Sequence, residues 1–155
     1  MASEALHAVR DGQRLDQRAW IGPASYVLRF QEGSPFYIGV RIRNTGKTPA
    51  LRANAVIDYT EGVGQFTKQG MVFRHKTLAI GTVHPGADYT LNMFGTLPLT
   101  AHDLAALRAG HHTIWAYGRI EYSDIFGSAH RSWFCVELDR KLTEAASCDC
   151  CNDAD

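Results

Sequence analysis

Three thiols within four residues, Cys148-Asp149-Cys150-Cys151, are the densest concentration of reactive side chains in the chain. As thiolates, Cys148, Cys150 and Cys151 are soft ligands suited to Cu(I) or Zn(II), with His130 or a second chain supplying a fourth ligand. Their other chemistry is oxidation to disulfides, within the segment or between protomers. The plainer alternative is an unstructured tail with incidental thiols, because a flexible ligand set gains no preorganisation from a fold. The fourth cysteine, Cys135, lies in the apolar run Trp133-Phe134-Cys135-Val136 and reads as a small packed residue. Cysteines so unevenly placed are not a disulfide framework spread across a domain.

Seven histidines invite a metal reading. His111 and His112 are adjacent on an expected strand, so they face opposite ways and do not simply share an ion. No His-Glu-x-x-His or paired Cys-x-x-Cys spacing occurs. Serine catalysis lacks its Gly-x-Ser-x-Gly turn; Phe126-Gly127-Ser128 has only a fragment of it. Glu121 and Asp124 are close in sequence, but nothing pairs them in a way that drives their pKa values apart. No catalytic residue and no cofactor are therefore expected. The segment Tyr122 to Gly127 sits where ligand loops of sandwiches cluster. Its structural alternative has Asp124 closing an Asx-type turn, Gly127 at positive φ, and Ile125 or Phe126 tucked onto the core.

The most suggestive pattern is aromatic. Between His112 and Tyr122 the residues alternate, with Ile114, Ala116, Gly118 and Ile120 forming one face and Trp115, Tyr117 and Arg119 the other. Phe134, Val136 and Leu138 alternate likewise against Trp133, Cys135 and Glu137. If the two strands pair, Trp115, Tyr117, Arg119 and Trp133 form an outer patch of the residue types favoured at binding hot spots. Such a patch on a soluble monomer has a use. Its alternative is internal cover, by the N-terminal helix or by a short helix at residues 100 to 109.

The elements that must carry these groups follow from periodicity. The chain has 155 residues, zero formal charge and a pI near 7, which fits one domain and disfavours nucleic acid as partner. No run of about 18 apolar residues exists to span a membrane. Residues 1 to 18 lack the apolar stretch of a signal peptide, and an anchor removed earlier stays open. A first helix is expected over residues 1 to 18, capped at Ser3 with Glu4 in its first turn and a thin apolar face of Leu6, Val9 and Leu15.

From Trp20 the period becomes two. Strands are expected over Trp20 to Phe30, Phe36 to Asn44, Leu51 to Tyr59, Lys76 to Val83, Ala87 to Phe94, His112 to Tyr122 and Arg131 to Arg140. Leu51, Ala53, Ala55, Ile57 and Tyr59 share one face of the third. Asn44 to Pro49 is turn chemistry, with Gly46 able to take positive φ. Residues 61 to 75 form a long glycine-bearing loop. Thr100, Asp103 and Gly110 bracket the short helix as cap, capping-box acid and C′ residue. About seven strands with one interrupting helix predict an all-β, two-sheet antiparallel immunoglobulin-like sandwich over residues 19 to 142. Residues 143 to 155, small and acidic, are expected to be disordered.

Three segments in order carry a resemblance: Gln17-Arg18-Ala19-Trp20, the run Asn44-Thr45-Gly46-Lys47-Thr48-Pro49-Ala50, and Tyr117-Gly118-Arg119-Ile120-Glu121-Tyr122-Ser123-Asp124-Ile125-Phe126-Gly127. Together they resemble a group of uncharacterised bacterial immunoglobulin-like domains that usually follow a membrane helix. The likeness spans roughly residues 13 to 140. It implies a membrane-associated or extracytoplasmic bacterial setting and brings no activity with it; this sequence departs from the group by lacking the membrane segment. The function expected from all of this is a non-catalytic module that holds a protein partner or assembles with its own copies. A metal or redox role for the cysteine tail, and an enzyme with a site under the 61 to 75 loop, are the alternatives.

Overall fold

The computed structural model describes residues 2–155, apart from the side chains of residues 2, 3, 4, 6 and 15. The cap at Ser3, the acid at Glu4 and the apolar positions Leu6 and Leu15 thus lie outside the described side chains. Helix α1 spans Ala2–Gln17. Its described side chains are exposed; among them, Asp16 lies 2.6 Å from Lys47 Nζ and Arg14 lies 5.7 Å over the Phe126 ring. Exposed pairs of this kind contribute little.

Two antiparallel sheets follow. The smaller has the order β1-β2-β5, with β1 at Ile21–Arg29, β2 at Pro35–Asn44 and β5 at Asp88–Pro98. The larger runs β4-β3-β6-β7-β8, with β3 at Ala50–Gly62, β4 at Leu78–Val83, β6 at Thr113–Ser123, β7 at Ala129–Leu138 and β8 at Ala145–Ser147. A last strand, β9 at Asp153–Ala154, also pairs with β7. β1 lies against β7, and β5 lies against β3 and β4.

The alternation read from the sequence builds the core between the sheets. Phe36, Ile38, Val40 and Ile42 point inward from β2, Leu91 and Met93 from β5, Ile114, Ala116 and Ile120 from β6, and Phe134, Val136 and Leu138 from β7. Ile38, Val40 and Ile42 are fully buried, each stabilising the fold by roughly 1.5–3 kcal/mol. Gly118 is required by this packing: a Cβ there would lie 2.3 Å from Phe134 Cζ and 2.8 Å from the Val56 carbonyl oxygen. Helix α2, Ala101–Ala109, has the expected capping box between Thr100 and Asp103 and ends on Gly110 in the left-handed conformation.

Two local expectations are corrected. In β3 the inward face begins at Ala50, not Leu51, because a bulge with Arg52 at φ 52° shifts the alternation by one before Ala53. Gly46 does not take positive φ. It is small because the chain passes there, where a Cβ would meet the Arg18 carbonyl oxygen at 2.3 Å and Trp20 N at 2.6 Å. Buried Asn44 fixes that crossing: its Oδ1 accepts from Trp20 N and Gly46 N, and its Nδ2 donates to the Thr48 and Val83 carbonyls.

The segment from 143 onward, expected to be disordered, lies along β7. Ala145 to Ser147 pair with Val136 to Leu138, and Asp153 and Ala154 with Trp133 and Ser132. The unpaired edge of β7 supplies a template of N–H and C=O groups, which short strands can use without any apolar pattern of their own. Arg18, at the other end of the domain, reaches the Asp155 carbonyl through its guanidinium and stacks over Trp20 at 3.5 Å.

Candidate functional site

Trp115, Tyr117 and Cys135 do leave the larger sheet on its outer face, but the chain itself covers them. Trp115 is 4% exposed and Tyr117 and Cys135 are fully buried, in a second cluster separate from the main core. Among the described residues, no side chain of either helix packs on it. The cover is the 63–77 loop: Phe66 stacks on Trp115 at 5.6 Å and on Tyr117 at 5.2 Å, while Phe73 meets Tyr117 edge-on at 5.5 Å.

The loop is pinned at two places. Buried Asp58 accepts hydrogen bonds from Arg74 N at 2.5 Å and His75 N at 3.1 Å. Burial pushes the Asp58 carboxyl up, but the N–H groups of Arg74, Tyr59 and His75 outweigh it and hold the carboxyl below its ordinary value. The Tyr117 hydroxyl makes the second anchor, on the backbone of Val72.

Arg119 and Trp133 stay half-buried at the rim. Arg119 lies 5.4 Å from the Trp133 ring and 5.7 Å from Phe73, and Lys68 Nζ lies 5.2 Å over Trp133. The rim is thus a small cation–aromatic stack on a covered cluster, not an open hydrophobic patch. Sequence reasoning missed Phe66, Met71 and Phe73. Their one signal is two aromatic rings inside a glycine-bearing stretch.

The other side of the cover is the cysteine segment. Cys135 is joined to Cys148, and Cys150 to Cys151. Cys148 and Cys151 pack against Trp115, Tyr117 and Cys135. Asn152 knits the segment together: Oδ1 accepts from Cys135 N, and Nδ2 donates to the Cys148 and Cys150 carbonyls. In this form Cys148, Cys150 and Cys151 have their sulfurs tied to one another or to Cys135, so they present no thiolate to a metal. Among the described residues no group of three or more His, Cys, Asp or Glu side chains could hold a metal ion.

At one end of the sandwich, Asp124 closes the β6–β7 turn by accepting from Phe126 N and Ser128 N, both at 2.9 Å. His130 Nε2 stands 2.8 Å from its other oxygen. Burial pushes this carboxyl up; His130 and the two backbone donors outweigh that and keep it below its usual value. Gly127 takes φ 86° as expected. Ile125 and Phe126 do not tuck onto the core; they are 46% and 41% exposed, and Phe126 instead receives Arg14. A pocket of about 440 Å³ beside this turn is lined by Arg52, Asn54, Ser123, His130 and Arg131 among others. Arg131 is already paired with Glu121 at 2.9 Å, so the pocket's charges are largely matched.

Further exposed apolar surface lies on the smaller sheet. Tyr37 and Phe94 are cross-strand partners with rings 5.2 Å apart, and Arg29 lies 5.4 Å from the Tyr37 ring. Phe94 is 60% and Leu97 74% exposed. Beside them a cleft of about 310 Å³ opens between β5 and β4, with Ile57 and Met93 below and Leu78, Phe94 and Lys76 at its sides.

No family model matches the chain, and no curated protein matches it. The fold is a β-rich, sandwich-like pair of antiparallel sheets on its own geometry.

Each edge of the two sheets can then be compared. β1 carries a bulge at Pro23. β4 is short and irregular, with Gly81 at φ 90°. β7 is covered by β8 and β9. β5 carries fewer of these devices: from Tyr89 to Leu97 it holds no charge and no proline, and its pairing with β2 is regular from Asp88 to Phe94 and shifts register between Phe94 and Pro98. Natural edge strands are normally blunted by such features. This signal was legible in the sequence as an uncharged nine-residue run, and only the topology reveals it as an edge.

Proposed function

We propose that the chain is a non-catalytic interaction module of immunoglobulin-like fold that assembles with a second copy of itself through the edge of β5. The observation that carries this reading is the uncharged run from Tyr89 to Leu97, regular as far as Phe94, beside an apolar cleft. A strand added to β5 would extend the three-stranded sheet and cover β4, whose Leu78 is 43% exposed. It would also close the cleft over Ile57 and Met93. A twofold antiparallel pairing brings uncharged residues onto uncharged residues, so the edge is complementary to itself. The bacterial, membrane-associated setting rests on the three sequence segments that carry the family resemblance. Two disulfides fit it, because disulfides persist in oxidising compartments.

Sedimentation velocity on the wild type and on an Asn92→Lys/Phe94→Lys pair tests the reading. Both side chains are exposed, so circular dichroism should be unchanged. The expected result is a wild-type dimer weakened more than tenfold by the charged edge, with Val27→Lys on β1 leaving it intact. A wild type that stays monomeric at high concentration, or an edge variant that assembles like the wild type, would sink the reading.

A further inference from the structure

We infer that the segment after β7 is a thiol-operated strap. Reduction of Cys135–Cys148 and Cys150–Cys151 by a dithiol releases residues 147 to 155 and uncovers the side of the Trp115–Tyr117–Cys135 cluster that the 63–77 loop does not cover. This inference does not depend on the edge of β5.

The four sulfurs lie where such a strap needs them. One, on Cys135, belongs to the buried floor in mid-β7; the other three belong to the segment that crosses it. Apart from the disulfides, mostly polar contacts near the surface hold the segment. β8 pairs over three residues and β9 over two, Cys148 N donates to the Cys135 carbonyl, Asn152 accepts from Cys135 N, Asp155 bonds the Arg131 backbone and receives the Arg18 guanidinium, and Lys68 Nζ lies 3.6 Å from Asp153. Its strands are mostly exposed. The main core reaches no farther along the chain than Ala145, which packs against it only in part. Opening the strap therefore leaves the two sheets and their shared core in place.

Two further features favour an openable cover over a permanent one. Trp115 Nε1 is buried with no hydrogen-bond partner. A buried donor left unpaired destabilises the closed cluster. Cys151 is held at φ 71°, a left-handed conformation that an L-residue adopts at a cost. Cleaving the ring that joins it to Cys150 frees that backbone.

The chemistry balances with a dithiol as the co-reactant. Cys148, Cys150 and Cys151 are half-buried, whereas Cys135 is inaccessible, so attack falls on Cys148. One thiolate of the reductant forms a bond to the Cys148 sulfur; the bond to Cys135 breaks, and Cys135 leaves as a thiolate and takes up a proton. The second thiol of the reductant then displaces Cys148 as a thiol and closes a disulfide within the reductant. Two electrons pass to the protein and the reductant is oxidised. A second dithiol opens Cys150–Cys151 in the same way.

Hydrogen exchange read by mass spectrometry, on the full chain with and without dithiothreitol, tests this alongside thiol counting and far-UV circular dichroism. The expected result is four new thiols, exchange in residues 147 to 155 and around Cys135 faster by at least tenfold, and unchanged protection in β2, β3 and β6. Cys148→Ser should show the faster exchange without any reductant. Three results would each overturn the inference: four thiols appear while the segment stays protected; the whole sandwich loses protection together with the segment; or the protein isolated without reductant already carries free thiols.

Discussion

The Tyr117 hydroxyl and the backbone of Val72 exchange two hydrogen bonds: the hydroxyl donates to the Val72 carbonyl at 2.9 Å and accepts from Val72 N at 3.2 Å. One side chain, projecting from the outer face of β6, thereby fixes the loop that covers it. Tyr117→Phe keeps the ring under Phe66 and removes both bonds. The expected cost is about 1–2 kcal/mol, read by chemical denaturation, with faster hydrogen exchange confined to the 63–77 loop. An unchanged loop would mean that ring stacking alone holds the cover.

Asn44 is the corresponding anchor at the other end of the fold. Its side chain serves four backbone groups, and Asn44→Ala leaves buried partners such as the Val83 carbonyl unpaired. A loss of about 2–3 kcal/mol is expected. Asn44→Asp, which keeps the two accepted bonds but turns a carboxylate oxygen onto the Thr48 and Val83 carbonyls, should be at least as destabilising at neutral pH as the alanine variant.

Gly118→Ala probes the tightest approach in the core, since the added methyl carbon must displace the Phe134 ring and meets the Val56 carbonyl. Overpacking of this kind costs about 1–3 kcal/mol. Differential scanning calorimetry would register it as a lowered Tm; a stability equal to wild type would show that Phe134 has room to move.

Asp58 and Asp124 set the acid limb of stability. Both carboxyls lie below their ordinary pKa in the fold, so they bind protons more readily when unfolded. Their contribution is complete above the unfolded pKa of about 4 and is lost as pH falls through the folded value. Denaturation midpoints should therefore be flat from neutral pH to about pH 5 and decline below that. Asp58→Asn should lower stability at neutral pH and shrink the decline. A variant whose acid limb matches the wild type would remove Asp58 from this role.

Much of the sandwich was legible because its strands are half-buried and alternate. Phe36, Ile38, Val40 and Ile42 declare β2, and Thr100, Asp103 and Gly110 declare α2. The outward direction of Trp115, Tyr117 and Trp133 was legible for the same reason. What covers them was not. Phe66, Met71 and Phe73 lie in a stretch without period, held by Asp58, whose bonds are to distant backbone and leave no pattern in sequence. The paired segment after β7 was hidden similarly: strands of two and three residues carry no alternation, and the partner of Cys148 cannot be read from spacing. In β3 the bulge at Arg52 moved the inward face by one residue, which periodicity alone cannot register.

The most direct test of assembly through β5 is amide hydrogen exchange of residues 89 to 97 at dilute and at high protein concentration. The outward-facing amides of an edge strand exchange freely until another strand pairs with them. Protection in this run that rises with concentration, while β1 stays constant, is the predicted result. Exchange in residues 89 to 97 that is the same at every concentration would contradict the account.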